Sequence, residues 1–139
     1  MFLGDLMPTI HHIFLRAFAL LAIVLSFAAT PQAATAQTTA FRQAVAEGAA
    51  RDDVLAEFYR GREFEGIWTG TTGRDRARRN ALLAAFAGAG DHGLPAAEYD
   101  PNELMARLQA ASTPAEKGAM EVEMSRLFLS YARDVQTGI

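Results

Sequence analysis

The sequence predicts an all-α fold, a small bundle of about five helices, on three observations. Downstream of Gln37 no segment alternates apolar and polar residues with the period of two that a half-buried strand requires. Apolar residues recur instead at three- and four-residue spacings, most persistently as Met120, Met124, Leu127, Phe128, Tyr131 and Val135. Two helix starts are fully spelled out, Asp100-Pro101-x-Glu103 and Thr113-Pro114-x-Glu116. Each offers a capping side chain, a proline at the first helical position where its missing N–H costs nothing, and a glutamate at N3 to complete a capping box.

Residues 1–36 read as an export signal that stands outside the fold. Arg16 precedes the apolar run Ala17 to Ala29, and after it come Pro31 and the small-residue triplet Ala34-Thr35-Ala36, an A-x-A cleavage pattern. Cleavage is expected before Gln37. The run is far short of the roughly 20 residues needed to span hydrocarbon, so the membrane is involved only through this segment before cleavage. Met7 is a more natural start than Met1, because it leaves Asp5 out of the n-region. The chain has no cysteine, hence no lipid-attachment residue and no disulfide. Residues 37–139 make one domain, long enough to bury roughly two-thirds of the unfolded surface around a single core.

The elements follow in order. Thr38 and Thr39 cap a first helix carrying Phe41 and Val45, which weakens at Gly48. Asp52 and Asp53 open a second, in which Val54, Leu55, Phe58 and Tyr59 form one apolar stripe. It frays at Gly61. Phe64, Ile67 and Trp68 then lie in a bent segment that clamps between helices, ahead of the loop Thr69-Gly70-Thr71-Thr72-Gly73. The third helix runs from about Asp75 to Ala87 with Leu82, Leu83 and Phe86 inward, and stops at Gly88 to Gly90. The fourth buries Leu104, Met105 and Leu108; the fifth carries the long stripe named above.

Charge and composition exclude several functions. The formal net charge is −3 with both signs interspersed, which argues against a nucleic-acid binder. Arg74, Arg76, Arg78 and Arg79 form the one cationic cluster. They read as a solvated helix face, or else as a contact for an anionic polymer such as a cell-wall strand. Without a thiol, cysteine catalysis is impossible. A serine triad would need His92, the sole histidine after the leader, with Ser112, Ser125 or Ser130, none of which sits in a nucleophile elbow. His92, between Asp91 and Gly93, reads as a turn residue bonded to backbone. One histidine with scattered carboxylates makes no metal ligand set, and no cofactor motif is present. Glu63 and Glu65 could serve a wall glycosidase only from an apolar cleft. Alternating with Phe64, they are expected to face solvent. Tyr59 and Trp68 could stack on sugar rings, but core packing is the plainer role.

The run Phe58-Tyr59-x-x-Arg62-x-Phe64-x-x-Ile67-Trp68, then an alanine- and leucine-rich helix, then His92-Gly93-Leu94-Pro95-x-x-x-Tyr99, resembles the N-terminal scaffold domain of the large murein L,D-transpeptidases of Gram-negative bacteria. The closing Glu121-x-Glu123-x-Ser125-x-x-Phe128-x-x-Tyr131-Ala132-x-Asp134-x-x-x-Gly138 is similar to the end of that domain. The resemblance covers nearly all of residues 41–139. It implies a helical scaffold, periplasmic, that supports a separate catalytic domain whose cysteine, assisted by a histidine, makes 3→3 peptidoglycan crosslinks or attaches a protein to the wall. No position here matches that cysteine or histidine motif, so the chain is expected not to be an enzyme and no catalytic residue is carried over. The expected partners are peptidoglycan or a cell-wall synthesis protein. The chain's stop at Thr137-Gly138-Ile139 is what a truncated or split gene product would leave. The alternatives are a stand-alone periplasmic peptidoglycan-binding or adaptor module and, third, a cell-wall hydrolase.

Overall fold

A computed structural model describes residues 31–137, and its described residues are all helix and loop, with no strand. The chain divides into a unit of residues 1–34 and a unit of residues 35–139, and the fold described is that of the second. Five α-helices appear in the order α1 (Pro31–Ala49), α2 (Asp53–Arg60), α3 (Gly73–Ala87), α4 (Pro101–Ala110) and α5 (Pro114–Thr137), with a short 3₁₀ turn over Ala89–His92 between α3 and α4. The apolar run of the proposed leader and its start codon lie outside the described residues. α1 is continuous through the expected cleavage point after Ala36.

Local chemistry explains most boundaries. Thr38 and Thr39 are not caps, because no breaker follows Pro31 and the helix has already begun there; Thr39 instead donates its hydroxyl to the Thr35 carbonyl, one turn back. Asp52 alone caps α2, its Oδ1 accepting from the N–H groups of Val54 and Leu55 at 3.0 and 3.1 Å. α3 starts at Gly73, two residues before the expected position. Thr72 is its N-cap and forms a reciprocal capping box with Asp75. The Thr72 hydroxyl first, and then its backbone N–H, hold the Asp75 carboxyl below its ordinary range. Asp100 caps α4 as expected, with Pro101 behind it. Glu103, however, turns to Arg107 at 3.9 Å instead of reaching back to the cap.

The box at α5 is the most complete. Glu116 accepts from the backbone N–H groups of Thr113 and Ser112 and from the Ser112 hydroxyl at 2.8 to 3.0 Å, while Thr113 Oγ1 accepts from the Glu116 N–H. These bonds, the Thr113 and Ser112 amides foremost, lower the Glu116 carboxyl from 4.5 to about 2. A depressed carboxyl stabilises the fold above its unfolded pKa and loses that contribution as pH falls through the folded value. The stability difference between wild type and Glu116→Gln is therefore expected to be constant above about pH 5 and to close between pH 4.5 and 2, read from urea midpoints across that range.

The chain leaves α2 through a strained turn. The Glu63 N–H bonds to the Arg60 carbonyl and the Phe64 N–H to the Tyr59 carbonyl, the bond pair of a Schellman motif. The left-handed position that glycine usually fills is held by Glu63, at φ 52°, with Phe64 also positive at 59°. Glu63→Gly is expected to stabilise the protein by up to about 1 kcal/mol, relief of the left-handed strain outweighing the added freedom of the unfolded chain. A higher urea midpoint at unchanged slope would register it.

Two apolar clusters make the core. One gathers Val45 and Ala49 of α1, Leu55 and Tyr59 of α2, and Val122 of α5, with Phe41 and Phe64 packed on it. The other gathers Trp68, Leu82, Phe86, Leu94, Tyr99, Leu104, Met120 and Met124, with Ile67, Leu83, Leu108 and Tyr131 against it. α1 and α5 approach so closely that a Cβ on Gly118 would lie 2.6 Å from the Phe41 carbonyl oxygen. Two expected stripes are wider than what is buried. Val54 and Phe58 remain 61 and 41% exposed beside buried Leu55 and Tyr59, and Phe128 and Val135 remain 44 and 42% exposed on α5. The inward positions that complete the α5 face belong to Glu121 and Ser125.

Candidate functional site

The segment from Ile67 to Gly70 has no regular secondary structure, yet its backbone is tied on both sides. Its N–H groups point at Glu121, a carboxylate with no solvent exposure. Glu121 Oε1 accepts from the Ile67 amide at 2.6 Å, and the Trp68 amide is shared between Oε1 and Oε2 at 3.1 and 3.0 Å. Oε2 also takes the Thr69 amide and the Thr69 hydroxyl, both at 2.9 Å. Tyr59 completes the set from α2, donating its hydroxyl to Oε1 at 2.9 Å. Five donors thus converge on one acceptor-only group, which satisfies the rule that a buried charge must be hydrogen-bonded. Gly66 is the residue that lets the loop come this close, since a Cβ there would lie 2.8 Å from Glu121 Oε2.

One turn on, Ser125 extends the network. The Trp68 Nε1–H donates to Ser125 Oγ at 2.8 Å, and Ser125 Oγ lies 2.6 Å from the Tyr59 hydroxyl. With the Tyr59 proton on Glu121, the serine proton goes to the tyrosine oxygen, and every polar hydrogen has an acceptor. Burial first, then the charge of Glu121, holds the Tyr59 phenol far above its ordinary value of 10, so it remains a donor. Tyr59 belongs to one apolar cluster and Trp68 to the other. The Glu121–Ser125 pair is therefore the polar joint between the two halves of the core.

The loop carbonyls are held by the cationic cluster. Arg78 donates to the Ile67 carbonyl at 3.1 Å, Arg79 to those of Trp68 and Gly70, and Arg76 to that of Thr71. Three of the four arginines thus clamp the loop to the first turns of α3, which replaces the expectation of a merely solvated face. Arg74 makes none of these contacts.

The other sequence candidates lie apart from this network. Glu63 and Glu65 are exposed as expected, Glu65 pairing with Arg42 at 3.3 Å. Asp91 and His92 are exposed on the 3₁₀ turn, and no described residue bonds the His92 ring to backbone, contrary to expectation. Ser112 serves the α5 capping box, Ser130 approaches the Tyr99 hydroxyl at 3.4 Å, and Ser125 lies in the core. No His92–serine pair is formed. Tyr59 and Trp68 are buried, so neither is a sugar platform. Among the described residues no cluster of His, Asp and Glu could hold a metal ion, and no helix is long and apolar enough to cross a membrane.

What the surface does offer is an apolar groove of about 290 Å³ between α2 and α5. Leu55, Ile67 and Trp68 form its floor, and the exposed Val54, Phe58 and Phe128 its walls. Its one polar residue, Ser125, is already engaged by Trp68 and Tyr59. Glu121 lines neither this groove nor the adjoining cavity on the far side of Phe128, so its carboxylate cannot meet a bound substrate. Sequence reasoning missed both features. The signal for the first was a Glu and a Ser four residues apart on the apolar face of α5.

No curated protein and no solved structure matches the chain. A family model does, described as Scaffold domain and matching residues 53–139. That span begins at α2, holds every residue of the Glu121 network and the groove, and takes in more than half of the chain: the protein belongs to the scaffold-domain family.

Proposed function

We propose that this chain is the non-catalytic helical scaffold of a periplasmic murein L,D-transpeptidase, exported by the leader at residues 1–36 and acting in peptidoglycan crosslinking and wall biogenesis. The observation that carries this reading is where the resembling motifs meet. Tyr59 and Trp68 of the first motif bond to Glu121 and Ser125 of the last, more than fifty residues away. Family likeness and the joint that sets the fold thus rest on the same side chains. The absence of cysteine from the sequence assigns the nucleophile to a separate domain, and the donor-saturated Glu121 is a structural carboxylate, not an acid or base.

The test is reconstitution. The full chain is mixed with the isolated catalytic domain of an L,D-transpeptidase, and 3→3 dimer formation from disaccharide-tetrapeptide is followed. The scaffold reading expects the chain to raise the rate or lifetime of the catalytic domain, and to leave sacculus turbidity unchanged when added alone. No effect on the catalytic domain, with co-sedimentation of the chain on purified sacculi, would replace it with the stand-alone wall-binding module. Turbidity loss abolished by Glu63→Gln or Glu65→Gln would replace it with a hydrolase.

A further inference from the structure

We infer that the α2–α5 groove is a docking site for an acidic, amphipathic helical segment of a partner protein; this rests on the scaffold reading and names the chemistry of the partner. The groove is recessed, and its floor residues Leu55 and Trp68 are almost wholly buried while Phe58 and Phe128 stand up on either side. That is the shape of a socket for one large apolar side chain. The exposed Val135 lies two helical turns beyond Phe128 and prolongs the apolar strip along α5 by roughly 10 Å, which suits an elongated occupant.

Charge decides what flanks the anchor. The Arg62 guanidinium lies 5.5 Å from the centre of the Phe58 ring. Arg78 lines the adjoining cavity with Trp68 and Phe128, and Arg126 and Arg133 line the cavity that shares Leu129 with the groove. The only carboxylate lining any of the three is Asp52, whose Oδ1 is bound to the first N–H groups of α2. Glu57 is exposed on α2 but lines none of them. In a chain of formal net charge −3, this face is locally cationic. A partner with an apolar anchor and carboxylates a turn to either side complements it, and a lysine-rich one is repelled.

Trp68 is the only tryptophan of the chain and part of the groove floor, so its fluorescence reports occupancy directly. The full chain is titrated with a synthetic tryptophan-free helical peptide bearing leucines at i, i+3 and i+7 and glutamates elsewhere, and with its lysine counterpart. The glutamate peptide is expected to shift Trp68 emission saturably, more tightly at low salt. Phe58→Ser and Phe128→Ser should each weaken it by about tenfold or more. Both side chains are already part-exposed, so circular dichroism and melting confirm that these variants fold. Arg62→Glu and Arg133→Glu should reverse the preference toward the lysine peptide. Equal binding of the two peptides, no shift with the glutamate peptide, or a shift produced only by phosphatidylglycerol vesicles would overturn the inference. A failed reconstitution with peptide binding intact would sink the transpeptidase reading alone, and the reverse pattern the docking site alone.

Discussion

Glu121→Ala is expected to cost about 4 kcal/mol or more, the largest effect of any single substitution in the domain. Total stabilities of small domains run to only roughly 5–15 kcal/mol, so the variant is expected to be largely unfolded near body temperature. The reason lies in the donors left behind. Three are backbone amides of Ile67, Trp68 and Thr69 in a segment with no sheet or helix to receive them, and an unpaired buried donor costs about 1–3 kcal/mol. Many buried charges can be exchanged for apolar groups at little cost when both partners are replaced together. That route is closed here, because a peptide N–H cannot be mutated away. Glu121→Gln keeps the volume but places an NH₂ donor among five donors, and should lose about half as much. Urea denaturation with unchanged slope checks both, and a loss below about 1 kcal/mol for the alanine variant would contradict the assignment.

Trp68→Ala is expected to cost about 3–5 kcal/mol. The ring lies in the apolar cluster of α3 and α5, with its centroid 5.8 Å from that of Phe128. Its removal would join the groove to the cavity that Trp68 also lines, leaving a void too large to collapse. Trp68→Phe separates packing from polarity. It keeps most of the volume, deprives Ser125 Oγ of its donor, and should cost about 1 kcal/mol beyond the packing loss. Thermal melts of the two variants give the comparison. Equal losses would place the main contribution of Trp68 in its indole N–H instead of its bulk.

The helices were legible because their signals are local. Asp52, Asp100 with Pro101, and Thr113 with Glu116 announce starts through bonds made within four residues, and the structure shows those caps. Periodicity also identified Leu82, Phe86, Leu104, Met120 and Met124 as core. It failed where apolar character exceeded the space to bury it. Val54, Phe58, Phe128 and Val135 satisfy the helical spacing but lie beyond the line where α2 and α5 meet, and a period cannot tell how wide that line is. The Glu121 network was illegible for the opposite reason. Its partners lie fifty and more residues away, and a lone glutamate on a helix reads as solvated until the loop that needs it is placed. The arginines show the same effect, their bonds going to loop carbonyls that carry no sequence signature.

Amide hydrogen exchange at Ile67, Trp68 and Thr69 tests the central claim, that a buried carboxylate holds an irregular loop as rigidly as a helix. In the wild-type chain these three amides are expected to exchange as slowly as those of α5, through global unfolding alone. In Glu121→Gln, measured where the variant is still folded, they should become selectively fast while Met120 and Met124 stay protected. Rapid exchange at Ile67 to Thr69 in the wild type, at the rate of exposed loops, would contradict the account.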